Sequence, residues 1–495
     1  MLNLALTTFF VFLLLAGLRK PFVWVLCYLY IDIVAPQIIS WGFLSMIPTS
    51  LIAFAAAFLG WLVFDTKDGS RFTWRQGVMV ALLLYCAGTT LTADYPAEAL
   101  EKWAWVWKAL VFAIFLPLTL RTRLRIEAAT LVMVLAASAL IIDGGIKTAM
   151  GGGGYGALRI FVENNTGLYE GSILSCVAIA IIPVILWLAR HSTIYPSDWR
   201  VWTFASALIF ACCLIPVGTQ ARTGLVCLAV VCALSLRTAK HRVLILGGMA
   251  LAAFAAVPFL PQSFVARMDT IENHQADQSA STRLGVWKWT WGYAKEHPFG
   301  GGFEVYLSSH VDYDTVAADT SAGMTTITRD HIVEKGRAFH SSYFEMLGEQ
   351  GYPGLAMWLL LQVSGLWQME VVRRRYRKKS APSGTGRELR LGRSIARESI
   401  SGESIAGDSR AQTDAGSSAV NEAWIAPLAN ALQLAQVSYL VGSLFVGIAF
   451  QPFILMLIGL QCALWSYVKR TDPRIRDVEG KAPARPAGAM VAPLS

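Results

Sequence analysis

The apolar residues of this chain come in long blocks, not at a period of 2 or 3.6. About thirteen blocks stand out, near 2–18, 22–39, 42–64, 77–93, 103–120, 126–148, 168–189, 201–218, 223–236, 243–260, 353–371, 424–446 and 448–468. A nearly charge-free apolar run of roughly 18 or more residues predicts a transmembrane helix, because a helix satisfies its own backbone inside lipid. The pattern predicts an all-α polytopic membrane protein with 12–13 transmembrane helices. Asp32 and Pro36 interrupt the second block, and the ninth is short. The first block lacks a basic leader and a small-residue cleavage site, so it is expected to be retained rather than removed as a signal peptide.

Two segments between blocks stand apart. Residues 261–339 carry Trp, Tyr, Pro and Gly, and are expected to fold as a small subdomain of short helices, one near 283–296. Residues 372–423 open on Arg373, Arg374, Arg375, Tyr376, Arg377, Lys378 and Lys379 and continue in Ser, Gly, Ala, Arg and Glu. That composition predicts a disordered basic linker lying against anionic headgroups. The expected organisation is an N-terminal membrane region over 1–200, a core over 201–370, the linker, a membrane hairpin over 424–468 and a tail over 469–495.

Composition narrows the class. The 495 residues are 55% hydrophobic and 15% charged, against about a quarter charged in soluble domains. A soluble multidomain enzyme, a disordered chain, a collagen-like chain and a disulfide-rich secreted domain are excluded. The net charge of +9 looks at first like a sign of an acidic partner. Placing the segment after the first span in the cytoplasm and alternating puts 30 of the 42 Lys and Arg on the cytoplasmic side. That is the positive-inside bias, with the N-terminus outside and the C-terminus inside. All eight cysteines lie inside apolar blocks without a CxxC pair, and are read as small packing residues.

Function is sought among the outer charges. Arg222, in Thr219-Gln220-Ala221-Arg222-Thr223-Gly224, sits where spans 8 and 9 meet almost without a loop. It is either a snorkelling interfacial residue or an anion clamp, since a guanidinium fork suits phosphate. Arg283 opens an expected helix with Trp287, Trp289, Trp291 and Tyr293, and a His297-Pro298-Phe299-Gly300-Gly301-Gly302 turn follows. His297 is read as a turn residue. His340 lies where the loop returns to the membrane, with Arg337, Tyr343 and Glu345 nearby, and Ser341, Ser342 and Glu345 mark a helix start. A lone His is more often structural, yet imidazole is the side chain best suited to proton exchange near neutral pH. The Gly151–Gly154 tract with Arg159 and Asn165 is read as an outer loop near the site, not a Walker A loop. Asp312 and Asp314 are not read as a metal site, and no metal or cofactor is expected.

Taken in order, these motifs resemble the O-antigen ligase and polymerase superfamily over roughly residues 200–370. The specific part is His340-Ser341-Ser342-Tyr343 followed by Glu349-Gln350-Gly351 and a new membrane helix. Arg19-Lys20-Pro21, Ala35-Pro36, Trp41-Gly42-Phe43, Glu101-Lys102-Trp103 and Glu163-Asn164-Asn165 resemble one branch, the O-glycosylation ligases associated with exosortase A systems and exopolysaccharide genes. The resemblance implies a metal-independent, inverting glycosyltransferase of GT-C type in the bacterial inner membrane. It implies transfer of a glycan from an undecaprenyl diphosphate carrier to a protein, lipid or polysaccharide acceptor on the periplasmic side. It implies partners among membrane lipids and lipid-linked glycans, and none among nucleic acids. Carried over by motif, Arg222 and Arg283 bind the diphosphate, His340 acts on the acceptor hydroxyl or binds the diphosphate, and Arg337, Tyr343, Arg159 and Asn165 are further substrate contacts. A polymerase of the same superfamily is the alternative. A flippase or transporter is disfavoured by the few charges within the spans, and a scaffold by the large residues of the outer loop.

Overall fold

Helix-ending signals in the sequence convert the apolar blocks into elements. In a computed structural model the described residues are 2–40, 43–67, 69–151, 168–237, 242–244, 247–248, 264, 278–321, 324–379 and 422–472. The N-terminal helices are α1 (Leu2–Arg19), α2 (Phe22–Val34), α3 (Pro36–Ile39), α4 (Phe43–Met46), α5 (Thr49–Phe64), α6 (Trp74–Leu91), α7 (Pro96–Thr119) and α8 (Arg123–Ala149). They are followed by α9 (Gly171–His191), α10 (Trp199–Gly218), α11 (Arg222–Leu236), α12 (Gln278–Glu296), α13 (Ser342–Lys379), α14 (Ile425–Gly442) and α15 (Pro452–Thr471). Thr73 begins α6 with a reciprocal capping box to Gln76. Glu170 and Asp198 cap α9 and α10 by accepting from the amides of Ile173 and Val201. Pro96 and Pro452 start α7 and α15, where the missing amide costs nothing.

Among the described residues five helices, α8, α9, α10, α13 and α15, are both long and apolar enough to cross a membrane, and α1, α2, α5 and α11 are shorter apolar helices. The protein is an all-α polytopic membrane protein, as the block pattern predicts. The predicted second span is broken at Ala35, whose left-handed φ of 46° separates α2 from α3. The block at 42–64 divides into α4 and α5, and most of the 243–260 block lies outside the described residues. Leu15, Leu62, Phe64, Leu84 and Leu91 are exposed on helix surfaces, as lipid-facing side chains must be. The interior lies around α9 and α15, whose apolar windows are 83% and 89% buried. Six of the eight cysteines are buried there and all are free thiols, in keeping with a packing role.

The two ends of the bundle differ. At one end Asp65 holds Arg121 at 2.8 Å and Arg125 at 2.6 Å, Arg470 donates to the Arg121 carbonyl, and Arg375 pairs with Asp472. Burial opposes ionisation of Asp65, but Arg125 and Arg121 hold its carboxyl below the usual range. These residues all come from segments that the charge bias assigns to one side. At the opposite end gather Ala93–Lys102, Glu170, Gly300–Glu304, His340 and 445–451.

Three expectations need correction. The outer segment is not made of short helices alone. It holds α12, a short 3₁₀ turn (Val305–Ser308) and an antiparallel hairpin, β1 (His310–Ser321) with β2 (Met324–Lys335), paired from His310–Lys335 to Ser321–Met324. α12 begins at Gln278, so Arg283 lies in its second turn instead of opening it. α13 starts at Ser342 and runs to Lys379, so the segment expected to be a disordered linker from 372 opens as helix; residues 380–421 lie outside the described residues.

Candidate active site

The glycines set the site. Gly300 and Gly302 have φ of 85° and 82°, and Gly351, at a kink within α13, has φ of 62°. Only glycine adopts such angles without strain. The turn threads between two helices. Gly301 and Gly302 donate to the carbonyls of Gly348 and Glu349 at 3.1 and 2.9 Å, and the Asp94 amide donates back to Gly301 at 2.9 Å. A Cβ on Gly351 would lie 2.3 Å from the Pro298 carbonyl oxygen. The Pro-Phe-Gly-Gly-Gly and Gly-Glu-Gln-Gly motifs are therefore two halves of one backbone joint. His297 stacks on Tyr293 with ring centres 4.2 Å apart, which fits its reading as a turn residue.

That joint presents a carboxylate cluster around one ammonium. Lys102, on α7, lies 2.8 Å from Glu345, 2.7 Å from Glu349 and 3.4 Å from Glu304. The Glu349 side chain is fully buried and its Oε1 also accepts from the Glu304 amide at 3.0 Å. Glu345 Oε2 accepts from the Ala449 amide at 3.1 Å, and Ser342 Oγ accepts from the Ile448 amide at 2.9 Å. These bonds clamp the connection between α14 and α15 onto the first turns of α13. The cluster forms the floor of a cavity of about 400 Å³, with His340 and Tyr306 in its wall. Burial, and next the Glu304 carboxylate, push the Tyr306 phenol up.

His340 stands at φ 47°, and Glu304 in the same wall at φ 63°. Non-glycine residues held in the left-handed region concentrate at functional sites. The ring stays open to the cavity, yet the surrounding protein strips enough solvent to lower its pKa from the usual 6.5; Arg283 and Arg337 add to this and Glu170 opposes it. The imidazole is accordingly neutral at pH 7. Arg283 is thus within electrostatic reach of His340. α12 is tied to the segment before α13, since Trp287 donates to the Phe339 carbonyl at 2.8 Å and stacks on Phe344.

Arg222 is the first residue of α11, next to Gln220 at φ 54°. Its hairpin rests on α9: Thr219 and Ser175 hydroxyls lie 2.8 Å apart, and a Cβ on Gly224 would meet Ser175 at 2.9 Å. The first turn of α9, Ser172 and Ile173, lines the cavity. Arg222 therefore shares the cavity's end of the bundle, but among the described residues the wall includes neither Arg222 nor Arg283. Arg337 forks onto Glu334 at 2.6 and 2.5 Å, and Tyr343 donates to the Leu440 carbonyl at 3.1 Å while packing edge-on against Trp358. Arg159 and Asn165 lie outside the described residues.

Sequence reasoning about outer cations did not join Lys102 to Glu304, Glu345 and Glu349. The available signal was a lysine at the head of an apolar block, because a cation at membrane depth needs a partner.

Comparison with known families divides the chain at the same place as the motifs do. Residues 1–193 match a family of unknown function (DUF5935), and residues 205–359 match the O-antigen ligase family. No curated protein matches the chain. The second match spans Arg222, Arg283, the glycine joint and His340, and it supports the likeness to the O-antigen ligase and polymerase superfamily over that region.

Proposed function

We propose that the protein is a glycosyltransferase that moves a glycan from an undecaprenyl diphosphate carrier to an acceptor hydroxyl on the periplasmic side of the bacterial inner membrane. The observation that carries this reading is His340, held in a left-handed conformation in the wall of a cavity and lying, with Arg283, within the O-antigen ligase match. The acceptor oxygen forms the new bond to the anomeric carbon as the bond from that carbon to the diphosphate oxygen breaks. The electron pair leaves on the diphosphate, where the guanidinium groups of Arg222 and Arg283 meet the growing negative charge. The acceptor proton passes to the His340 imidazole. A single displacement of this kind inverts the anomeric centre. The resemblance of the N-terminal half supports the branch associated with exosortase A systems. Ligation to a protein, lipid or polysaccharide is favoured over polymerisation by that resemblance alone.

The test is transfer from an undecaprenyl-diphosphate-linked glycan by the purified protein, with EDTA present. His340→Ala is expected to lower the rate about 10²–10⁴-fold, and Arg222→Ala and Arg283→Ala about 10²–10³-fold each. Full activity in all three folded variants would overturn the residue roles. Movement of the lipid-linked glycan between leaflets without transfer would make the protein a flippase.

A further inference from the structure

The cavity beside His340 has the wrong charge for a phosphate. Among the described residues its wall carries Glu98, Glu101, Glu170, Glu304, Glu345 and Glu349 against the ammonium of Lys102 and a neutral imidazole. A diphosphate belongs with the arginines, and neither Arg222 nor Arg283 is in this wall. On the transferase reading, the diphosphate therefore binds outside this cavity.

A second observation shows what the cavity lacks. Glu349 is fully buried, and its Oε2 has no hydrogen-bond partner although Oε1 is saturated by Lys102 and the Glu304 amide. A buried carboxyl oxygen in that state calls for a hydrogen-bonding partner, and a hydroxyl suits it because it both donates and accepts. Hydroxyl and ammonium groups supply donors; phosphate and carboxylate do not. Trp105, also in the wall and half-buried, offers an aromatic surface of the kind that packs against the apolar face of a sugar ring.

From this geometry we infer that the cavity is the acceptor subsite, and that it selects a glycan whose accepting sugar carries hydroxyl or amino groups and no phosphate or carboxylate. The inference rests on the transferase reading above, and deepens it by naming the acceptor class. The accepting hydroxyl sits against His340, and the neighbouring hydroxyls donate to the carboxylates of Glu304, Glu345 and Glu349. An anionic sugar meets a wall in which, among the described residues, carboxyl groups outnumber the ammonium of Lys102.

The test uses the full-length purified protein and photoreactive glycosides alike except for one substituent beside the accepting hydroxyl: hydroxyl, amine, phosphate or carboxylate. Binding is read from cross-linked peptides, independently of transfer. The hydroxyl and amino glycosides are expected to label residues 98–105 and 445–451, and to compete about tenfold better than the anionic pair, a difference of about 1.4 kcal/mol. Glu98→Lys and Glu101→Lys, both exposed on α7, are expected to fold and to narrow that preference; Glu349→Gln narrows it further. Equal binding of the phosphorylated glycoside, labelling elsewhere, or a preference unchanged in the exposed variants overturns the inference. The transfer assay is scored apart from it. Charge-selective binding without transfer leaves the glycoside subsite standing and removes the transferase reading; transfer without charge selection does the reverse.

Discussion

His340 must be neutral to accept a proton, and its surroundings make it so. Burial and the charges of Arg283 and Arg337 lower its pKa below 6.5, with only Glu170 opposing. The acid limb of the kcat/KM profile is therefore expected below 6.5, and Arg337→Gln, which removes one of the opposing charges, moves it upward. A limb above 6.5 in the wild type sinks the assignment of His340 as the base. The same depression affects stability. The unfolded chain binds this proton more readily, so the His340 contribution is fully present above 6.5 and is lost as pH falls through the lowered folded value. Lys102 makes a different prediction. It is 11% exposed among three carboxylates, and Lys102→Met leaves them without a counterion. A loss of about 3–5 kcal/mol is expected, read as a lower melting temperature in detergent, and the added change Glu349→Gln restores part of it. An unchanged melting temperature would show that the cluster is not coupled through the ammonium. His340 was legible in the sequence because it falls in a motif. The Lys102 cluster was not, because its members are separated by up to 247 residues and meet only through folding.

At the scale of elements, the backbone joint between the 298–302 turn and the kink in α13 decides where Glu304, Glu349 and His340 stand. Gly351→Ala would force a Cβ to 2.3 Å from the Pro298 carbonyl at a φ of 62°. The strain alone is expected to cost about 1–3 kcal/mol, with loss of acceptor binding before loss of the fold. Gly292, on the exposed side of α12, has nothing within 4 Å of an added Cβ. Gly292→Ala is therefore expected to stabilise α12 by about 0.5–1 kcal/mol, and the pair read side by side in thermal melts separates backbone geometry from helix propensity. Equal effects at both positions would contradict the joint. Pro298 and the three glycines announced a sharp turn in the sequence; what it turns against did not show there. The hairpin of β1 and β2 was missed for a physical reason. Its strands, His310–Ser321 and Met324–Lys335, are too polar to raise an apolar signal. The extension of α13 to Lys379 was hidden by its run of basic residues; Arg373 and Arg374 pair with Glu370 at i,i+3 and i,i+4, while Met369, Val372 and Tyr376 are buried.

For the whole molecule, the Lys and Arg bias and the structure agree on which segments share an end. Asp65, Arg121, Arg125, Arg470 and Asp472 assemble at one end, while Asp94, Lys102, Gly301 and His340 assemble at the other. That agreement comes from independent sources, because the bias counts charges and the contacts are geometric. It makes membrane sidedness testable at single positions. The native cysteines give little background, as six are buried and Cys213 and Cys232 lie within α10 and α11. Glu98 and Arg71 are both exposed and lie at opposite ends, before α7 enters the bundle and before α6 does. Glu98→Cys is expected to react with a membrane-impermeant maleimide in intact spheroplasts, and Arg71→Cys only after the membrane is opened. The reverse pattern would turn the cavity and His340 toward the cytoplasm, where a carrier glycan already moved to the outer leaflet is out of reach. Labelling of both from outside would break the alternation of the spans between residues 71 and 98, which α6 separates.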